Sequence, residues 1–232
     1  YNGTGFFREV CQTEEAVLDR IKQYMKDMPA YHPDFFRVAD PVEPKFPIED
    51  LYSLLPANQR RTYSMPEILA RLFDNSEHLE YKPDYGPEVY CGLAKIDGYL
   101  CGVIGNNQGA LGAEYPEYTD KYQGMGGKLY RQGLIKMSEF VTFCGRDRIP
   151  MLWLQDTTGI DVGDIVERAE LLGLGMSLIY SIKSTELPMM LVVMRKGTAA
   201  AHYVMGGPNA NNNNIFTLGT AATEIYVMHG ET

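Results

Sequence analysis

The stretch that decides the fold is Arg195-Lys196-Gly197-Thr198-Ala199-Ala200-Ala201-His202-Tyr203-Val204-Met205-Gly206-Gly207. It follows an apolar run, Met189 to Met194, that is long enough for a buried strand. Small side chains come next, from Gly197 to Ala201, and the residues after them can form a helix. The stretch therefore predicts a strand that leads directly into a helix.

The small side chains at this junction leave backbone N–H groups uncovered. Such groups, together with the positive end of the helix dipole, stabilise an oxygen atom that becomes negative. One interpretation is an oxyanion hole made of the amides of Ala199, Ala200 and Ala201. The other is close packing of the helix on the strand, which also requires small residues. The stretch alone does not decide between them.

The same pattern occurs about 38 residues earlier, a spacing that suits a β-α unit with a right-handed crossover. There an apolar strand, Ile149 to Leu154, ends in Gln155-Asp156-Thr157-Thr158-Gly159, and a helix is predicted from about Asp164 to Ile182. In open α/β sheets, sites form where strand ends meet helix starts. We therefore expect the loop of residues 156–163 to lie beside residues 197–202.

The loop of residues 155–163 has two interpretations. It could bind a ligand through its backbone, or it could be a turn in which Asp161 or Asp164 caps the following helix. We expect Asp161 and Asp164 to be caps and the loop backbone to bind the ligand. Asp156 fits either interpretation.

Three further side chains are candidates. His202 could act as a general base because histidine titrates near neutral pH. We favour a hydrogen-bonded, partly buried ring, because no carboxylate partner is evident. Asn106 and Asn107, which follow a predicted hairpin from Val89 to Gly105, could hold a ligand or simply satisfy a turn.

The remaining elements follow from hydrophobic periodicity and turn residues. Asp97-Gly98 predicts a two-residue turn that sets Ile96 opposite Tyr99 and keeps Cys91 and Cys101 apart. The other predicted elements are a helix over residues 12–28 that Thr13 could cap, a helix over residues 65–73, a long helix over residues 126–146 and a strand pair over residues 215–228.

Prolines predict the domain organisation. Six of them lie between Met28 and Pro56, a density that breaks regular structure and marks a linker or extended arm. We place a boundary near Lys45, with residues 1–45 as a tail and linker and residues 46–232 as the main domain. The chain opens without Met and stops directly after a strand-like run, so we expect it to be part of a longer protein.

Composition excludes several classes of function. The net charge of −9 and the pI near 5.0 argue against nucleic acid as a partner. The longest apolar runs are too short to span a bilayer, and no signal peptide is visible. The cysteines (Cys11, Cys91, Cys101 and Cys144) lack CxxC spacing and a nearby His cluster, so we expect no metal and reduced thiols in a cytoplasmic protein.

At these loops the chain resembles the carboxyltransferase subunits of biotin-dependent enzymes. Asp156-Thr157-Thr158-Gly159-Ile160, with Gly163 beyond it, matches that family's Asp, two variable residues, Gly and Phe before a second Gly. Residues 195–205 match, without a gap, the family's Arg-Lys-Ala-Tyr-Gly-Gly-Ala-Tyr-Asp-Val-Met. Residues 70–74, 85–87, 106–107 and 170–175 also fit the family.

Within that family, the sequence most resembles the decarboxylase branch, which consists of the alpha subunits of sodium-pumping glutaconyl-CoA decarboxylases. Residues 4–10, 126–134, 153–163 and 219–225 carry this similarity. Ala199 and Ala200 replace the paired glycines of the carboxylases, and Tyr203 replaces their Asp. Backbone donors survive a change from Gly to Ala, whereas the changed side chains favour the decarboxylase branch.

The resemblance implies an α/β, crotonase-type (ClpP-like) superhelix of repeated ββα turns. This chain would be the C-terminal half, incomplete at its own C-terminus, with an N-terminal helix and a Pro-rich arm from the first half. The first half would bind the coenzyme A thioester, and this half would receive biotin. The two halves would meet across a subunit interface, so the protein would be a homo-oligomer.

The resemblance also implies a reaction and its site. The carboxyl group of glutaconyl-CoA would move to biotin on a carrier subunit and leave crotonyl-CoA, in a cytoplasmic complex with a membrane-embedded sodium-pump subunit. The biotin-binding residues would be Asp156, Thr158, Gly159, Ile160, Gly197 and Thr198, with the amides of residues 199–201 as the oxyanion hole. Alternatives are the beta subunit of an acyl-CoA carboxylase (propionyl-, methylcrotonyl- or acetyl-CoA type) and a non-catalytic module that docks the biotin carrier.

Overall fold

The computed structural model describes residues 5–26, 38–112, 115, 124–208 and 211–227. Its helices are α1 (Glu14–Lys26), α2 (Leu51–Leu54, preceded by a 3₁₀ turn at Ile48–Asp50), α3 (Met65–Leu69), α4 (Arg131–Arg146), α5 (Asp164–Arg168), α6 (Leu171–Lys183) and α7 (Ala199–Val204). Its strands are β1 (His78–Glu80), β2 (Val89–Ile96), β3 (Tyr99–Asn106), β4 (Lys128–Leu129), β5 (Met151–Thr157), β6 (Gly159–Ile160), β7 (Met189–Thr198), β8 (Asn214–Gly219) and β9 (Glu224–Tyr226).

Across the described residues, one mixed sheet organises the molecule in the order β1-β2-β3-β5-β7-β8, and β9 extends the pairing along β7. The strands from β1 to β3 are antiparallel, and those from β3 onward are parallel. The parallel strands require crossovers, which the helices between β3 and β7 supply. The β-α units predicted from the two strand-loop-helix patterns are therefore confirmed.

The hairpin between β2 and β3 has the register predicted from Asp97-Gly98. Ile96 pairs with Tyr99, Cys91 with Ile104 and Cys101 with Ala94. Asp97 and Gly98 both have positive φ, as a tight hairpin turn requires. The Asp74 carboxylate accepts hydrogen bonds from both of their amides, at 2.8 and 2.7 Å, and fixes the turn.

Two apolar layers cover the sheet. On one side, α4 and α6 pack on the parallel strands around Trp153, which is fully buried. On the other side, the residues of α3 and Phe73 pack against Tyr90, Val103 and Leu154. Because strand residues alternate between faces, β5 contributes Trp153 to one layer and Leu154 to the other.

Two predicted helices have different bounds in the structure. The helix expected from Gly126 begins at Arg131, because Lys128 and Leu129 form β4 and pair with β6. The helix expected from Asp164 to Ile182 is divided into α5 and α6 at Glu170, whose φ of 59° is left-handed and cannot continue a helix.

Smaller corrections concern α3 and β7. The helix predicted to reach Phe73 ends at Leu69. The strand predicted to end at Met194 continues to Thr198, so Gly197 and Thr198 belong to the strand and not to a loop. The helix predicted over residues 12–28 is observed as α1, with the Thr13 hydroxyl accepting from the Ala16 amide at 3.1 Å, while residues 27 and 28 lie outside the described residues.

The N-terminal segment lies against the surface of the main body. No residue of α1 is buried. Lys26 pairs with Glu77 at 3.2 Å. The Arg8 guanidinium lies 4.9 Å from the centre of the Tyr81 ring, 4.8 Å from that of Tyr24 and 5.5 Å from that of Phe143. Within the described residues, no helix has the length and apolar character needed to cross a membrane.

Candidate functional site

The two small-residue segments meet at the C-terminal ends of β5 and β7. Thr157 pairs with Gly197, after a register shift that gives β7 extra residues between Val193 and Gly197. This confirms the expectation that the segment after Gln155 lies beside residues 197–202. Gln155, at the end of β5, reaches α7 across this junction.

Asp156 lies beneath the junction in a buried ion pair. Its carboxylate accepts from Arg195 Nε at 2.7 Å and from the Lys196 amide at 3.1 Å, and both paired side chains are at most 1% exposed. Arg195 also donates to the Arg61 carbonyl at 2.6 Å and lies over the Tyr63 ring. Burial without such partners would cost several kcal/mol, so this network holds the strand ends in place.

The loop after Asp156 is bound to β4 by its own backbone. The Thr158 amide donates to the Gly127 carbonyl at 2.7 Å, and the Asp161 amide donates to the Leu129 carbonyl at 3.0 Å. The Gly159 amide faces the Thr157 hydroxyl at 3.3 Å. The expectation that these backbone donors are available to a ligand was therefore wrong for Thr158, Gly159 and Asp161.

The expected helix caps were also wrong. Gly163 occupies the N-cap position of α5, without a side-chain cap. Asp161 instead accepts from Lys128 at 2.8 Å, which adds a side-chain contact to the pairing of β4 with β6. Asp164 is the first residue of α5 and pairs with Arg168 at 2.9 Å on the surface. Asp164 pairs with a residue four positions along its own helix, whereas Asp161 pairs with a lysine 33 positions away, which no local sequence pattern shows.

Bare backbone does occur in the loop at two glycines. Gly159 has a φ of 144° and Gly163 a φ of 130°, conformations that residues with a side chain rarely adopt. A Cβ atom at either position would meet nothing within 4 Å. Ile160, between them, is half-buried and packs against the main core. The main chain at these two glycines thus has open space beside it.

The start of α7 carries conformational strain. Ala199, which stands where the family pattern has Gly, has a left-handed φ of 47°. This conformation costs an alanine roughly 1 kcal/mol relative to glycine. Ala199 and Ala200 are exposed and Ala201 is buried. The first amides of a helix have no carbonyl partner within it, so these residues present backbone donors at the junction.

His202 is a hydrogen-bonded, half-buried ring, as the favoured interpretation predicted. Its Nδ1 lies 2.6 Å from Gln155 Oε1. Gln155 Nε2 donates to the His202 and Met205 carbonyls at 3.4 and 3.3 Å. Burial lowers the pKa of His202 below its usual value. Gln155 was not singled out from the sequence, because its partner lies 47 positions away.

Asn106 and Asn107 both make contacts within the chain. Asn106 Oδ1 accepts from the Asp156 amide at 3.0 Å, and its Nδ2 lies 3.3 Å from Met205 Sδ. Asn107 Nδ2 donates to the Pro87 carbonyl at 2.8 Å. Their arrangement supports the turn interpretation, with Asn106 joining β3 to the end of β5.

Lys196 is a further polar residue at the junction that the sequence did not single out. It is 7% exposed, and burial lowers its pKa while Asp156 partly offsets that effect. Among the described residues its ammonium makes neither an ion pair nor a hydrogen bond with the chain. Over the same residues, no group of His, Cys, Asp and Glu side chains could hold a metal ion.

Comparison with known proteins identifies the class. The chain belongs to the carboxyl transferase domain family, whose model matches residues 1–232. It is 60% identical, over 100% of its length, to the glutaconyl-CoA decarboxylase subunit alpha of Acidaminococcus fermentans, and it covers 40% of that subunit. It is 25% identical to the biotin-dependent 3-methylcrotonyl-coenzyme A carboxylase beta1 subunit of Mycobacterium tuberculosis, over 88% of this chain and 35% of that subunit.

Solved structures agree on the fold. The P. aeruginosa geranyl-CoA carboxylase beta subunit aligns with a TM-score of 0.70 and 27% identity, over 92% of this chain and 37% of that one. The transcarboxylase 12S subunit, whose structure is described as a hexamer assembly, aligns with a TM-score of 0.82 and 21% identity over 98% of this chain and 42% of that one. The fold is therefore the mixed α/β carboxyltransferase fold, and the chain spans about two fifths of these relatives.

Proposed function

We propose that this chain is part of the carboxyltransferase subunit of a glutaconyl-CoA decarboxylase. The subunit moves the carboxyl group of glutaconyl-CoA to biotin on a partner carrier protein and leaves crotonyl-CoA. The observation that carries the proposal is the 60% identity, over the whole chain, to a glutaconyl-CoA decarboxylase alpha subunit. Four carboxylase beta subunits are 24–28% identical to it.

The proposed site uses main chain more than side chains. Biotin is a substrate here, and its ureido oxygen becomes negative as the carboxyl group is accepted. The start of α7, which is exposed at Ala199 and Ala200, supports a role for the amides of Ala199, Ala200 and Ala201 in binding that oxygen. The uncovered backbone at Gly159, with Ile160 beside it, supports packing of the bicyclic ring against this loop.

The other predicted site residues would support the site from different positions. Gly197 and Thr198 end β7 next to these amides and form the floor of the proposed site, and the Thr158 side chain holds the loop through the Gly127 carbonyl at 3.2 Å. Asp156 would not contact biotin; it would hold the ends of β5 and β7 together through Arg195 and the Lys196 amide. The half-buried His202 ring lies on α7 itself, and the buried Asn106 amide contacts Met205 just after α7, so both would support the site from within.

The proposal extends to the complete protein. Residues 1–45 would be the tail of a first crotonase-like half with a Pro-rich linker, and residues 46–232 the second half of a repeated ββα superhelix. The first half would bind the acyl-CoA ester and meet this half across the interface of a homo-oligomer. The complex would include the biotin carrier and a membrane-embedded sodium-pump subunit, with this subunit on the cytoplasmic side.

A turnover assay tests the proposal. The complete subunit should form crotonyl-CoA from glutaconyl-CoA in the presence of free biotin, while residues 1–232 alone should not, because the thioester-binding half is absent. Propionyl-, methylcrotonyl- and acetyl-CoA, with carboxylated biotin, serve as control substrates. Activity with those esters and none with glutaconyl-CoA would indicate a carboxylase beta subunit. Biotin-carrier binding without any transfer would indicate a docking module.

A further inference from the structure

We propose that the end of β7 carries a binding site for a small oxyanion with a single negative charge, of the hydrogencarbonate class, held by the Lys196 ammonium. The site lies on the face of β7 opposite α7 and does not depend on the function proposed above. Three observations carry it: a buried ammonium without a partner, buried oxygen atoms without partners near it, and a charge balance that leaves one positive charge.

The Lys196 side chain is buried without an ionic partner. It is 7% exposed, and its ammonium makes neither an ion pair nor a hydrogen bond within the described part of the chain. The ammonium itself is not fully buried, so a small ion can reach it. A buried charge without a partner costs free energy, and burial accordingly lowers the pKa of Lys196. Its N–H donors therefore require acceptors from outside these residues.

The direction of the Lys196 side chain follows from the next residue, Gly197. A Cβ atom at Gly197 would lie 2.9 Å from Gln155 Oε1, on the face of the sheet that α7 covers. Because strand residues alternate between faces, the side chains of Lys196 and Thr198 point to the other face, on which α3 packs. The backbone of Thr198 still ends β7 beside α7, so the two faces share this strand end.

Buried oxygen atoms without partners belong to residues near this end of β7. Among the described residues, Gln59 Oε1, Tyr63 Oη and Thr198 Oγ1 are buried and have no hydrogen-bond partner. The centre of the Tyr63 ring lies 4.8 Å from the Arg195 guanidinium, and Gln59 Nε2 donates to the Ala222 carbonyl at 2.8 Å. Ala222 lies two residues before β9, whose first residue pairs with β7. Buried polar atoms are almost always hydrogen-bonded, so three unpartnered ones in one region indicate a polar ligand.

The charges at this strand end leave one positive charge without an anion. Asp156 and Arg195 form a closed ion pair at 2.7 Å, so their charges cancel. Glu224, beside Lys196 on β9, is exposed and forms no ion pair with it within the described residues. A water molecule would satisfy the hydroxyl groups but leave the Lys196 charge uncompensated, whereas an anion does both.

The available groups specify the kind of anion. Gln59 Nε2 donates to the Ala222 carbonyl, which can only accept, so the unpartnered atom of this amide is its oxygen, an acceptor. Lys196, Tyr63 and Thr198 supply donors. A hydrogencarbonate ion offers oxygen atoms to these donors and its own O–H group to Gln59. Formate has the same charge but no O–H group, so it would leave Gln59 unpaired.

The first test is binding of potassium hydrogencarbonate to the complete subunit at mildly alkaline pH. Titration calorimetry should give a saturable isotherm, and the midpoint of thermal unfolding should rise more than in potassium chloride of the same ionic strength. Potassium formate should bind more weakly than hydrogencarbonate. If hydrogencarbonate gives no saturable binding, or shifts the midpoint no more than chloride does, the proposal is overturned.

The second test removes the ammonium in Lys196→Met, which keeps the length of the side chain. Hydrogencarbonate should bind about tenfold more weakly or worse, because hydrogen bonds to charged groups contribute the most. Without the anion the variant should be at least as stable as the wild type, since it loses a buried charge that had no partner. Lys183→Met, at the exposed end of α6, is the matched control and should bind like the wild type. Undiminished binding by Lys196→Met would overturn the proposal.

The third test examines the neutral groups. Tyr63→Phe removes one hydroxyl and keeps the ring beside Arg195, so it should weaken hydrogencarbonate binding by about three- to tenfold. Gln59→Leu should lower the affinity for hydrogencarbonate to that for formate and leave the affinity for formate unchanged. Wild-type affinity for hydrogencarbonate in both variants would show that the anion does not contact these groups, and would overturn the site as described.

A last variant tests whether the chain neutralises its own ammonium. Glu224→Gln should bind hydrogencarbonate at least as tightly as the wild type, because the only change is the loss of a nearby negative charge. Binding by Glu224→Gln and none by the wild type would show that Glu224 pairs with Lys196, which overturns the proposal. All readouts are measured without turnover, so a failure of the proposed decarboxylase function would leave this inference standing, and its failure would leave that function standing. Circular dichroism establishes that each variant is folded.

Discussion

Gln155 and Asp156 are neighbours on the same strand, yet their polar groups are stabilised in different ways. Asp156 is fully buried and bound to a guanidinium and a backbone amide. Gln155 is also buried, but its partner is a half-buried neutral ring. The ion pair contributes to stability through charges that water does not reach. The amide–imidazole pair contributes through hydrogen bonds alone.

The difference predicts how much the free energy of unfolding depends on each of the two adjacent polar residues. A buried charge must have all of its hydrogen bonds made within the protein, because each missing one costs free energy. Asp156 makes its contacts with the chain, so its geometry is fixed. A neutral ring with one bound nitrogen can exchange a proton at the other without leaving a buried charge unpaired. Asp156 is thus held by a closed ion pair, and Gln155 by hydrogen bonds to a neutral ring.

The largest effect on stability should come from the ion pair. Asp156→Ala leaves the Arg195 guanidinium, 1% exposed, without its carboxylate, and should lower the free energy of unfolding by about 3–5 kcal/mol. Urea denaturation measures the loss, and hydrogen exchange of β7 locates it. The matched control is Asp164→Ala, which removes an exposed pair with Arg168 and should cost less than about 1 kcal/mol. Equal losses in the two variants would contradict the distinction.

A smaller loss of stability should follow from crowding the hydrogen-bonded pair of Gln155 and His202. In Gly197→Ala the new methyl group would lie 2.9 Å from Gln155 Oε1, so we expect a loss of about 1–3 kcal/mol from overpacking. Gly173→Ala is the control, because a Cβ atom at this exposed helix position meets nothing within 4 Å. That change should stabilise the protein by roughly 0.5–1 kcal/mol. Thermal denaturation compares the stability of the two variants. An unchanged stability of Gly197→Ala would show that Gln155 and His202 can move apart without cost.

The smallest effect concerns pH. The pKa of His202 is lowered in the folded protein, so the unfolded chain binds more protons as the pH falls through about 6.5. The free energy of unfolding should therefore decrease as the pH falls through this window, and His202→Asn should make that decrease shallower. Denaturation curves at several pH values between about 5 and 8 test this. A slope that is the same in both proteins would show that the ring is not desolvated.

Local sequence signals predicted the elements whose partners are close in the chain. Asp97-Gly98 specified the register of β2 with β3, because a two-residue turn fixes which residues face each other. Thr13 predicted the start of α1 for the same reason, since a cap bonds within three residues. The neighbouring positions of β5 and β7 followed from the repeated strand-loop-helix pattern.

Features that depend on distant partners could not be predicted. The start of α4 moved to Arg131 because Lys128 and Leu129 pair with residues 159 and 160, about thirty positions away. The roles of Asp161 and Gln155 depend on Lys128 and His202, which no local pattern connects to them. For the candidate site, the sequence predicted that the two segments lie side by side, but it misjudged which of their donors are already used.

The short ladder between β4 and β6 has a mechanical consequence. The Gly127 carbonyl accepts from the Thr158 amide at 2.7 Å and from the Thr157 hydroxyl at 3.0 Å, and Lys128 reaches Asp161 at 2.8 Å. Because the contacts on either side of Gly159 are anchored in this way, the segment before α4 and the segment after β5 cannot shift independently. We therefore expect the two segments to move together and not separately.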